Sequence, residues 1–307
     1  MSKTFKTIEE QLQILKEKGL VITNEEKTKE ILIRENYFFL VGYRHLFLNP
    51  DKKNYINGTT FEEIHALFCF DRQFRNILFK NFLIVENNIK SIISYQLSKK
   101  YGYKEDEYLK PASFSNDPDK FNQINDVINK VKRQVRSNCL KHSATSHYVN
   151  KYGYIPLWIL VKVLSFGLVA DVYGILKHPD QEAIASYYEL DVNELEKYLT
   201  ILSNYRNLCA HEDIVYNNKT LNYIPDTKYH HILNIEKFDE EFSKGKNDIF
   251  SVIIMLKSLL TNEAFSLMIN EITMEMNKLD YKVNTIQMQK VLEEMGFPSN
   301  WKEIKEI

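Results

Sequence analysis

The order of apolar and polar positions along the chain predicts a succession of helices. Thr7 with Glu10, Thr23 with Glu26, Thr60 with Glu63 and Asp191 with Glu194 each stand directly ahead of an apolar pattern of helical period. A short polar side chain at such a position accepts from free backbone N–H groups, and the acid three residues on reaches back to the cap. The pattern predicts a first helix over 8–18 that stops at Gly19, and a second over 24–34 leading into the aromatic-rich segment 35–48. A polar loop follows at 49–58. From Phe61 to Tyr101 there is neither Gly nor Pro. That stretch reads as one helix of roughly 60 Å, or two in series.

Gly102 closes it, residues 103–119 read as loop around Pro111 and Pro118, and Phe121 to about Ser137 reads as helix. Pro156 opens a further helical segment through Lys177, and the helix that starts after Asp191 reaches at least Ala210. Residues 216–230 read as loop, and the tail holds helices near 248–262, 265–278 and 285–295. No repeat or low-complexity segment is present. The expected fold class is all-α.

Composition agrees. In 307 residues there are only 9 Gly and 7 Pro, too few for a turn-rich β fold, and 44% apolar residues supply a core. The net charge of −1 excludes a uniformly basic coat but not a local basic groove. Three scattered cysteines, Cys69, Cys139 and Cys209, suit a reducing compartment. No apolar run is long enough for a membrane span, and the start of the sequence lacks a signal-peptide pattern. The expected setting is the cytoplasm.

Candidate chemistry concentrates in Arg206, Asn207 and His211, an R-N-x-x-x-H pattern at a helix end. Imidazole exchanges protons near neutrality, and a guanidinium binds phosphate and stabilises charge that builds in a transition state. RNA carries its own nucleophile, the 2′-OH, so this chemistry needs neither metal nor cofactor. By spacing alone, the pair equally fits a helix end with a cationic last turn. On a helical wheel Arg206 falls within the apolar face of Leu195, Leu199, Leu202 and Tyr205, and His211 lies about 140° away. An Arg in that position needs a partner, and Asp71 or Glu86 can supply it. One regular helix does not aim Arg206 and His211 at one point. A distorted helix end does so, and so do two chains that share a cleft.

From Val127 to Ala170 there is no Asp or Glu, while Lys130, Lys132, Arg133, Arg136 and Lys141 fall within it, followed by Lys151 and Lys162. These five are the candidate RNA-binding residues, with Lys132, Arg133 and Arg136 on one helix side. The aromatics Tyr37, Phe38, Phe39, Tyr43 and Phe47 sit at helical spacing, where core packing is the first reading and base stacking the second. Cys139, His142 and His147 lack the paired spacing and fourth ligand of a zinc site.

Several stretches, taken in order, resemble the Abi_2 family, the AbiD/AbiF-type abortive-infection proteins of the HEPN superfamily. They are EQLQILKEKG (10–19), NYFFLVGY (36–43), GTTF (58–61), FDRQFR (70–75), IVENNIKSIISYQLSKKY (84–101), PLW (156–158), SFGL (165–168) and YRNLCAH (205–211). The resemblance implies a HEPN-like helical core over 59–225, with helical additions at 1–58 and 226–307. It further implies a homodimer and a metal-independent ribonuclease site on Arg206, Asn207 and His211, with RNA as substrate. The alternative it leaves open is a HEPN protein that holds a small noncoding RNA without cutting it. This sequence departs from many members by following His211 with Glu212 and Asp213.

Overall fold

The computed structural model describes residues 4–139 and 141–307. The chain is 67% helix against 3% strand, an all-α fold. Helices α1 (Ile8–Glu17), α2 (Glu25–Glu35) and α3 (Tyr37–Val41), with a 3₁₀ turn at Gly42–Phe47, precede the 41-residue α4 (Phe61–Tyr101). Next come α5 (Glu105–Tyr108), α6 (Phe121–Asn138), α7 (Ser143–Tyr152), α8 (Leu157–Leu160), α9 (Phe166–Gly174), α10 (His178–Ala185) and α11 (Val192–Ala210). The chain ends with α12 (Lys228–Ile232), a small hairpin of β1 (Lys237–Phe238) and β2 (Glu241–Phe242), then α13 (Ile249–Leu259), α14 (Asn262–Asp280) and α15 (Met288–Glu294).

α4 is a single helix, and it positions everything else. At about 1.5 Å per residue it spans roughly 60 Å. Its side chains are buried at most positions, from Phe61 and Leu67 to Phe82, Val85 and Ile93. α14 packs along it, α11 packs against it, and α9 covers α11. α11 runs antiparallel to α4: Arg206 reaches Glu86, whereas Asp213 further along meets Arg75 earlier in α4. One contiguous buried cluster extends from Leu15 to Ile304.

The caps follow the sequence with two corrections. Thr7 and Thr60 form full capping boxes with Glu10 and Glu63. Glu63 does more: its Oε1 also accepts the N–H groups of Asn284 and Thr285, each at 2.7 Å, so the start of α4 holds the loop between α14 and α15. Thr23 does not cap α2. Asn24 does, accepting from the Lys27 N–H, while the Thr23 hydroxyl donates to Glu62. Asp191 accepts from the Glu194 N–H at 2.8 Å, but the Glu194 carboxylate accepts from the Tyr198 hydroxyl instead of reaching back.

Three other expectations change. The segment from Pro156 to Lys177 is not one helix: after α8 and a 3₁₀ turn at Val161–Val163, Ser165 caps a new start by accepting from the Leu168 N–H. α5, α7, α10 and the hairpin are additional: α5 lies inside the stretch 103–119 expected as loop, and α12 begins inside 216–230. Tyr43 and Phe47 are core residues, but Phe38 and Phe39 are 72% and 59% exposed. Among the described residues no helix is long and apolar enough to cross a membrane.

Candidate functional site

The segment that follows α11 is fixed by a buried polar cluster on α4. Asp71 accepts from the Tyr43 hydroxyl at 2.6 Å, the Tyr216 N–H at 2.8 Å and the Val215 N–H at 3.2 Å. Arg75, one helical turn on, pairs with Asp71 and also donates to the Tyr43 hydroxyl and the Asp213 carbonyl. Burial pushes the Asp71 carboxyl up, and Arg75 and the donors around it work against that. The Tyr43 ring stacks on Tyr216 with centroids 5.7 Å apart. Beside it, a Cβ on Gly42 would lie 2.7 Å from Ile214 Cδ1, so a larger residue there would push the tip of the Ile214 side chain aside. Residues from 36–43, from 70–75 and from the end of α11 thus converge on one place.

His211 is the C-cap of α11, with its backbone N–H on the Asn207 carbonyl at 3.0 Å. Glu212 takes a left-handed φ of 58° and turns the chain away. The His211 side chain is exposed and opens on a cleft of about 750 Å³, with Phe38, Phe39, Arg44 and Arg72 among its walls. Arg72 grips Glu35 with two bonds, 3.0 and 2.6 Å, and approaches Glu212 at 3.6 Å. Its guanidinium lies 4.6 Å over the Phe68 ring. The Arg72 hydrogen bonds hold the Glu35 carboxyl below its ordinary range.

Arg206 faces a different neighbourhood. Its Nε donates to Glu86 Oε2 at 3.4 Å, and its guanidinium sits 5.4 Å over the Phe79 ring. Lys90 holds the other Glu86 oxygen at 2.6 Å. Of the two partners expected for Arg206, Glu86 takes that role and Asp71 serves Arg75. The Arg206 side chain stays partly exposed, and among the described residues its terminal nitrogens bond to nothing. Asn207 is exposed on the same helix. The structure does not bring Arg206 and His211 together within one chain. Arg206 does not line the His211 cleft, although the two residues are only about 7.5 Å apart along the axis of α11.

Of the five candidate RNA-binding residues, Lys132, Arg133, Arg136 and Lys141 are exposed and form no ion pair among the described residues. Lys130 differs, because Asp126 at 2.8 Å and Asp171 at 3.6 Å both fold onto it. Those two acids are the residues that bound the acid-free stretch. Among the described residues no three His, Cys, Asp or Glu side chains gather as a metal site requires. Sequence reasoning missed Tyr43, Arg75, Phe79 and Lys90 as parts of this region. The i,i+4 spacings Asp71/Arg75 and Glu86/Lys90 within the long helix are the signal that finds two of them.

Comparison with known proteins adds one match. The family described as Abi-like protein (Abi_2) matches residues 30–217, so the stretch 10–19 lies outside the matched region. No curated protein and no solved structure matches the chain. The converging residues around Tyr43, Asp71, Arg75 and the end of α11 all fall inside the match, which covers more than half of the chain, and the chain belongs to the Abi-like family, an association with abortive-infection defence against phage.

Proposed function

We propose that this protein is an abortive-infection effector of HEPN type that cleaves RNA without a metal, using Arg206, Asn207 and His211 from two copies of the chain. The observation that carries this reading is the state of Arg206. It is seated by Glu86 and Phe79 yet keeps free donors at the surface of the helix that ends in exposed His211. Such a guanidinium is pre-positioned for a phosphate rather than consumed in the core.

In the reaction His211 takes the proton of a ribose 2′-OH, the 2′-oxygen bonds to phosphorus and the bond from phosphorus to the 5′-oxygen breaks. The leaving 5′-oxygen takes up a proton from solvent, His211 gives its own back to solvent, and Arg206 offsets the charge that collects on the phosphoryl oxygens. Asn207 supplies a neutral donor beside it. The products carry 2′,3′-cyclic phosphate and 5′-hydroxyl ends. Purified protein incubated with transfer, messenger and small RNAs should give these ends in the presence of EDTA. His211→Ala should slow cleavage by roughly 10²–10⁴-fold, the usual worth of an acid–base group. Cleavage that survives both His211→Ala and Arg206→Ala removes the assignment.

A second reading has its own support. Glu212 and Asp213 border the His211 cleft, and Arg72, which approaches Glu212 at 3.6 Å, is already held by Glu35. Two acids directly after His211 disfavour a phosphate beside it. That arrangement fits a protein that holds RNA without turnover, which shows as tight, salt-sensitive binding and intact RNA after prolonged incubation.

A further inference from the structure

A chain of exposed and half-buried aromatic rings lies beyond the far end of α4. Trp158 contacts Tyr103 with ring centroids 5.8 Å apart, and Tyr103 contacts Tyr154 at 5.7 Å. Tyr154 continues to Tyr152 at 6.3 Å, and Tyr152 to Tyr148 at 5.4 Å and His147 at 6.2 Å. The rings come from four places in the fold: the turn after Gly102, the end of α7, the bend after Gly153 and the start of α8. Tyr152, Trp158 and Tyr103 remain 48%, 43% and 41% exposed.

Packing does not account for them. The same segment has its own core residues in Ile155, Leu157 and Leu160, which are buried. The Ile155 backbone is further secured by Tyr108, whose hydroxyl donates to the Ile155 carbonyl at 2.9 Å. Tyr103, Tyr152 and Trp158 therefore sit outside that core.

Charge tells what suits them. Lys104 lies 5.3 Å over the Tyr154 ring and Lys151 5.3 Å over the Tyr152 ring. No acid occurs between 127 and 170. Of the acids in α5, Glu105 accepts the Ile155 N–H and Glu107 accepts the N–H groups of Tyr103 and Lys104, which leaves Asp106 as the exposed one. The centre of a protein–protein interface is depleted in lysine. A surface of flat rings interleaved with ammonium groups satisfies instead both components of an unpaired nucleotide, its base by stacking and its phosphate by charge.

From this juxtaposition we infer that the strip Trp158–Tyr103–Tyr154–Tyr152 binds single-stranded RNA, with Lys104 and Lys151 on its phosphates. The inference rests on the reading that the protein acts on RNA, and it specifies the form of RNA: unpaired, not duplex. The strip begins past Tyr101, about 22 Å along α4 from Glu86, a distance that an extended strand of several nucleotides can cover.

The test uses the full chain and a fluorescent mixed-sequence RNA of about 20 nucleotides, single-stranded or annealed to its complement, followed by anisotropy. Tyr152→Ala and Trp158→Ala should each weaken single-strand binding by roughly five- to a hundredfold, the range of one lost stacking contact. Tyr152→Phe keeps the ring and should keep the affinity, and duplex binding should change far less than single-strand binding. Photocrosslinking of the unmodified protein to 4-thiouridine RNA should mark peptides from 143–164, a readout independent of whether any variant folds. If the unmodified protein binds neither form of RNA, the RNA reading itself falls. If it binds RNA with unchanged affinity in both alanine variants and no crosslink maps to the strip, only this inference falls. The inference falls likewise if the alanines abolish flotation with phosphatidylserine-containing vesicles, or self-association, and leave RNA affinity intact.

Discussion

Asp71 shows how a single carboxylate sets the position of a distant side chain. Fully buried, it is paired with Arg75 and accepts the hydroxyl of Tyr43 and two backbone N–H groups just past α11. Those bonds hold the segment 213–216 against α4 and thereby fix the end of the helix that carries His211. Asp71→Ala leaves the Arg75 cation buried without its partner, and breaking such a pair costs about 3–5 kcal/mol. Chemical denaturation of the variant should show that loss, and a loss under about 1 kcal/mol would mean that the cluster is not buried as described. Much of this was readable in advance only as a question. Arg206 on an apolar helix face requires an acid, and the two candidates, Asp71 and Glu86, are both in use. Asp71 and Arg75 stand one turn apart on α4, so their pairing is local, whereas the choice of acid for Arg206 depends on the antiparallel register of α11 on α4, and register is a property of packing, not of either helix alone.

At the scale of elements, the long uninterrupted α4 and the capping boxes at Thr7 and Thr60 were legible because each rests on a local rule of hydrogen bonding. The break at Ser165 was not. α8 packs on α4 and α9 on α11, so apolar residues continue across the break with nearly the period of one helix. α7 escaped because Thr145 is its one buried side chain and no apolar stripe marks it. Exposed Phe38 and Phe39 were misread for a related reason: the helical spacing is real, but α3 is only five residues long and turns those two rings outward. α6 carries the clearest functional pattern, with Lys132, Arg133 and Arg136 exposed beside buried Ile128 and Val131. Replacing all three by Gln should lower the slope of log K against log salt for single-stranded RNA by about 2, at roughly 0.7 per lost phosphate contact. Lys130→Gln should leave the slope close to that of the unmodified protein, because Asp126 and Asp171 already neutralise Lys130. Equal slopes for the triple variant and the unmodified protein would remove α6 from the RNA path.

For the whole molecule the unresolved tension is that Arg206 and His211 belong to one motif yet meet α4 in different places. A two-fold dimer resolves it if the Arg206 of one copy serves the His211 of the other, because an isologous contact presents each pair twice. The helix wheel pointed the same way from sequence, but where the two copies touch depends on exposed surfaces that no local pattern records. The arrangement has a distinctive genetic consequence. Arg206→Ala and His211→Ala chains are each inactive alone, since every shared site lacks one of its groups. A heterodimer of one Arg206→Ala chain and one His211→Ala chain, purified through two different tags, contains one complete site and one that lacks both groups. It should recover roughly half of the unmodified cleavage rate. If both groups act within a single chain, each chain of the heterodimer lacks one of them and the rate stays at the level of the separate variants. Light scattering on the same sample supplies the mass, so a monomer that cleaves RNA at the full rate would reject the shared site without touching the assignment of Arg206 and His211.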